Sequence, residues 1–78
     1  MYNSNQEVNE LGKLGNRVRE LRARDRLSQE ELAKRVGASR QTIALIERGD
    51  YSPSVLLGLK IAAVFGVLVE DVFSIQDE

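Results

Sequence analysis

Two capped helices separated by a three-residue turn constrain this chain more than any other feature. They occupy "SQEELAKRVGASRQTIALIERG", from Ser28 to Gly49. The Ser28 hydroxyl can accept from an unpaired backbone N–H, and Glu31, three positions on, completes a capping box. Leu32, Ala33 and Val36 share one face, so a helix is predicted over Ser28–Arg35. "VGA" follows, where Gly37 permits a sharp turn. Ser39 then caps a second helix, and Gly49 can end it in the left-handed conformation. Ile43 and Ile46 fall on one side of that helix, and Gln41, Ala44, Leu45 and Arg48 on the other. The isoleucines need a core. The mixed outer face needs a different explanation.

The flanking segments also read as helices. Leu11, Leu14, Val18 and Leu21 recur at spacings of three and four, which predicts a helix over Leu11–Asp25 with arginines on its other side. Ser52 before Pro53 is a cap followed by a residue suited to the first helical position, and that helix should run to Phe65 and stop at Gly66. A last short helix is expected over Val69–Phe73, with Glu70 and Asp71 favourably placed in its first turn. No segment alternates with strand period over a useful length. The expectation is an all-α, compact five-helix domain over residues 11–75, after a disordered tail at 1–10 and before an acidic end at 76–78. The tail carries acids and no Lys or Arg, so it is not a basic arm for a DNA groove.

With 78 residues, 42% of them hydrophobic, the chain can build one modest core. It has no cysteine and no histidine, which excludes disulfides and zinc sites of the thiolate or imidazole type. No metal and no cofactor are expected. The commonest catalytic nucleophile and base are missing too, and Glu30, Glu31, Glu70 and Asp71 are spaced as exposed helix acids, so an enzyme is not expected. The start lacks the basic and apolar regions of a secretion signal, which makes the cytoplasm the expected location. The net charge of −1 conceals a polarity. Lys13 to Arg48 holds ten Lys or Arg against five Asp or Glu, whereas Gly49 to Glu78 holds one lysine against five acids. Local potential of this kind steers partners better than the total does.

A helix, a short glycine turn and a second helix make a helix-turn-helix unit. "LGNRVRELRARDRLSQEELAKRVGASRQTIALIERGDYSPS", continued by "KIAAVFGVLVEDVF", resembles the Cro/C1-type, or XRE, family of helix-turn-helix regulators from Leu14 to Phe73. "LSQEELA", "G-x-S-R-Q-T-I", "I-E-R-G" and the following "P-S" all occur in register. The resemblance implies a lambda-repressor-like fold that places its second motif helix in the major groove of double-stranded DNA. The side chains suit that role. Arg40 can pair with guanine and Gln41 with adenine, while Ala44 and Leu45 can meet a thymine methyl. Leu45 has a second open reading, contact with another chain. Arg48, Gln29, Ser39 and Thr42 are the expected phosphate contacts, with Ser39 a cap first. The resemblance also pairs Glu47 with an arginine that aligns with Arg22, an ion pair that would fix the packing of the first helix on the recognition helix. Two positions depart from the family pattern. Arg26 stands where a turn-tolerant residue is common, and Leu68 where a capping residue would begin the last helix.

Ser54 to Val69 carries apolar groups on nearly every side, with Lys60 its only charge. A helix apolar all round is normally covered all round, and a chain this small has little material for that. The charge, two glycines and short length argue against a membrane span. A symmetric homodimer through Leu56, Val64, Leu68 and Val69 is the better account, and it suits a pseudo-palindromic site. The leading expectation is a dimeric, sequence-specific repressor. The alternative is an antitoxin, or other protein-interaction module, whose apolar helix covers a toxin or different partner.

Overall fold

The computed structural model describes residues 12–76. Its order is β1 (Lys13–Asn16), α1 (Val18–Asp25), α2 (Gln29–Val36), α3 (Arg40–Arg48), α4 (Val55–Phe65), α5 (Val69–Val72) and β2 (Phe73–Gln76). The architecture is the expected all-α one, five helices around one core, with a small two-stranded sheet added where β1 and β2 pair. The disordered tail expected at 1–10 lies outside the described residues, as do Asp77 and Glu78 of the acidic end.

The capped pair forms as its sequence dictates. Ser28 Oγ accepts from Glu31 N at 3.0 Å, and Glu31 Oε1 accepts from Ser28 N at 2.8 Å. Gly37 ends α2 at φ 72°, a left-handed conformation that side-chain-bearing residues resist. Ser39 Oγ accepts from Thr42 N at 3.0 Å and starts α3. Leu32, Ala33 and Val36 of α2 meet Ile43 and Ile46 of α3 in the core. Val18, Leu21, Ile61, Ala62, Phe65 and Val72 complete it. Arg24 Nη2 donates to Phe65 O at 2.7 Å, holding α1 to the carbonyl end of α4.

The first helix is shorter than predicted, and its front part is a strand. Leu11 and Leu14 imitate helical spacing, but Gly12 at φ 117° cannot continue a helix. Lys13, Leu14, Gly15 and Asn16 instead pair antiparallel with Gln76, Ile75, Ser74 and Phe73. Asn16 ends the strand and starts α1. Its Oδ1 accepts from Val18 N at 3.0 Å, and its Nδ2 donates to Ile46 O at 3.0 Å. Arg17 N then donates to Val72 O at 2.8 Å, so a contact distant in sequence decides where the helix begins. The same pairing makes Phe73 the start of β2, and the last helix stops at Val72.

The start of α4 also moves. Ser54 is the cap, its Oγ accepting from Leu57 N at 3.1 Å, and Pro53 lies before the helix. Cap chemistry cannot choose between two serines flanking one proline. The two departures from the family pattern have visible consequences. Arg26 sits at φ 58° and ψ 41°, where a side chain is disfavoured. Leu68 gives α5 no side-chain acceptor, and Asp71 Oδ2 compensates in part by accepting from Leu68 N at 3.1 Å.

Candidate nucleic-acid interface

α3 lies on the molecule with Ile43 and Ile46 inward and the face carrying Arg40, Gln41 and Arg48 open. Arg40 and Gln41 are exposed in its first turn, Arg48 is exposed in its last, and Ala44 and Leu45 between them are half-buried. Leu45 is not among the side chains packed on the core, so the fold leaves its purpose outside. Ser39 and Thr42 share a hydroxyl–hydroxyl hydrogen bond of 2.9 Å at the start of the helix, which occupies one direction of each.

Three helices meet behind this face. Arg22 of α1 makes a two-pronged contact with Glu47 of α3, Nε to Oε2 at 2.6 Å and Nη2 to Oε1 at 3.1 Å. Arg22 Nη1 also donates to Leu27 O at 2.9 Å, so the guanidinium is well used. The side chains are 16% and 4% exposed, respectively. The hydrogen bond to Glu47 raises the proton affinity of Arg22 and outweighs the opposing effect of burial. This pair locks α1 to α3 where a lone carboxylate would be costly.

Gln29, at the start of α2, joins the same cluster. Its Nε2 donates to Glu47 Oε1 at 3.1 Å, and its Oε1 accepts from Arg40 Nη1 at 3.5 Å. Arg48 is held by Asp50, with Nη2 at 2.6 Å and Nε at 3.0 Å from one carboxylate oxygen. A depression of about 270 Å³ opens among Arg19, Gln29, Ala44, Glu47 and Arg48. Arg19 is the residue that reading the sequence missed. Its side chain makes no hydrogen bond or ion pair with any described residue, and it lines the same opening with positive charge. Its signal was present in the spacing. Arg19 lies one turn before Arg22, so pairing Arg22 with Glu47 turns Arg19 toward α3 as well.

The apolar residues expected at a dimer interface do not share one environment. Leu56 is 62% and Leu68 67% exposed, whereas Val64 and Val69 are half-buried against the core. Val55 and Leu59 of α4 and Ile75 of β2 are additional exposed apolar side chains. Among the described residues no helix is long and apolar enough to cross a membrane.

Comparison with known proteins agrees with this geometry. A helix-turn-helix family model matches residues 18–72, from the start of α1 to the end of α5. The chain is 56% identical over 63 residues to YgzD of Bacillus subtilis (strain 168), an uncharacterized HTH-type transcriptional regulator, covering 81% of this chain and 96% of that protein. An uncharacterized HTH-type transcriptional regulator of Archaeoglobus fulgidus is 52% identical over 62 residues, covering 80% and 89%. Among solved structures, the restriction-modification controller protein C.AhdI from Aeromonas hydrophila superposes with a TM-score of 0.67 at 36% identity, over 70% of this chain and 83% of that one. The first two carry the name of transcriptional regulators and the third that of a controller protein. With its capped helix pair, its glycine turn and an open second helix locked to the core, the chain belongs to the Cro/C1-type helix-turn-helix family of DNA-binding transcriptional regulators.

Proposed function

We propose that the chain is a dimeric repressor that reads a pseudo-palindromic operator with α3 in the major groove. The observation that carries this reading is the outer surface of α3. It offers an arginine and a glutamine in the first turn, small or apolar groups one turn on, and an arginine at the far end. That order matches a groove, with base edges reached from the first turn and a phosphate at the rim. Arg40, Gln41, Ala44 and Leu45 face the bases. Arg48, Ser39, Thr42, the amino end of α2 at Gln29, and Arg19 hold the backbone. Repression is the simplest output, because occupancy of a promoter blocks it without further contacts. A second copy, meeting the first through the exposed Leu56 and Leu68 with Val64 and Val69 beside them, would place two recognition helices about 34 Å apart, one turn of the duplex.

Binding titrations at several salt concentrations test the assignment. Gln41→Ala should relax preference at one base pair by about 1–3 kcal/mol and leave the salt dependence unchanged. Arg48→Ala should weaken all sequences alike and lower the salt slope by about one. If the two variants behave identically, α3 does not dock in this orientation.

A further inference from the structure

α4 carries one charged residue in its whole length, Lys60. It lies beside Lys34 and Arg35, from the last turn of α2, at an opening of about 580 Å³ that no residue of α3 lines. Val36, Ala63 and Val64 supply an apolar floor, and no acid lines the opening. The three cations are exposed, and their side chains make no hydrogen bond or ion pair with any described residue. The carboxylates that feel the charge of Lys34 or Arg35 are engaged elsewhere, Glu31 in the Ser28 cap and Asp25 with Arg24.

The carbonyl end of a helix favours cations, which accounts for Lys34 and Arg35. It does not account for Lys60, set in the middle of α4 beside two like charges. Cations gathered at one opening repel each other, and an anion between them turns that cost into attraction. The apolar floor narrows the choice of anion. A phosphate backbone has no use for Val36, Ala63 and Val64, whereas a peptide that mixes acids with apolar side chains uses floor and rim together. The opening also shares no lining residue with the depression beside α3. We propose that the opening between α2 and α4 is a docking surface for an acidic segment of another protein, whose carboxylates pair with Lys34, Arg35 and Lys60. It goes beyond the reading of α3 and leaves that helix free for DNA. Val64 also borders the proposed dimer surface, so self-association is measured alongside.

The probe is a short fluorescent peptide of interspersed Glu and Leu residues, titrated by anisotropy against the full chain. A copy with Gln in place of every Glu is the control. Lys60→Gln, the Lys34→Gln/Arg35→Gln/Lys60→Gln triple variant and Arg19→Gln are compared with wild type, and circular dichroism checks that each is folded. Lys60→Gln alone keeps the test standing if the triple variant is unstable. The acidic peptide should bind wild type and lose about two- to fivefold in affinity for each of the three cations removed, the worth of an exposed pair. The Gln copy should bind far more weakly, and Arg19→Gln should leave peptide affinity unchanged. Duplex affinity at moderate salt and the sedimentation coefficient of the triple variant should both match wild type. No binding of the acidic peptide to wild type, equal affinity for both peptides, or an equal loss from Arg19→Gln overturns the proposal. Two further results overturn it by naming a different occupant. A triple variant whose duplex affinity falls, with a salt slope lower by about three, assigns the patch to nucleic acid. One whose self-association changes assigns it to a second copy.

Discussion

Removing the Glu47 carboxylate strands the Arg22 guanidinium, itself only 16% exposed, without its counter-charge. Breaking a buried pair from one side costs about 3–5 kcal/mol. A domain of this size has a total stability of roughly 4–10 kcal/mol. Glu47→Ala should therefore lower the thermal unfolding midpoint sharply before any DNA is added, and an unchanged midpoint contradicts the role given to the pair. Arg48 presents the opposite case. It and Asp50 are both well exposed, so their pairing is worth at most about 1 kcal/mol, yet a phosphate must displace Asp50 to be held. Asp50→Asn should tighten DNA binding by up to about fivefold and leave sequence preference alone. Weaker binding would show that Asp50 orients Arg48 and does not compete for it. The Arg22–Glu47 contact was expected from the family resemblance and the wheel positions of both residues. The Gln29 bridge was not, because an amide's two partners depend on how three helices meet.

At the scale of elements, caps account for what the sequence made legible. Ser28 with Glu31, and Ser39, start α2 and α3 where local chemistry places them, since each bond closes within four residues. The strands were illegible for the converse reason. Four residues of β1 have no stability except through β2, some sixty residues away, and Leu14 fitted a helical repeat equally well. Ser54 and not Ser52 caps α4, a choice that two serines flanking one proline leave open in the sequence. The capping box also predicts a pH response. The backbone N–H of Ser28, and then its hydroxyl, hold the Glu31 carboxyl below the usual carboxylate range. Its folded pKa is depressed, so the stability it contributes is present above the unfolded value near 4.5 and is lost as pH falls through the lower folded value. Glu31→Gln should flatten the dependence of the melting temperature on pH below about 4.5, and an unaltered acid limb would mean the carboxylate does not cap α2 in solution.

The whole molecule presents an open outer face on α3 and an apolar surface that the described residues leave exposed. Leu56 at 62% and Leu68 at 67% exposure can be replaced without disturbing the core, so Leu56→Glu should leave a folded chain. In sedimentation velocity at micromolar concentration, wild type should run as a dimer and Leu56→Glu as a monomer. A monomeric wild type that still binds DNA tightly would turn that surface over to a different protein partner. A standard interface takes about 800 Å² from each partner, roughly a seventh of the 5579 Å² that this chain exposes. The central claim, that α3 reads DNA sequence in two symmetric copies, is tested most directly by selection of the wild-type protein against a random duplex pool. The account predicts one enriched pseudo-palindrome whose half-sites lie about 10 base pairs apart. A pool that yields no motif after repeated rounds at moderate salt would contradict it.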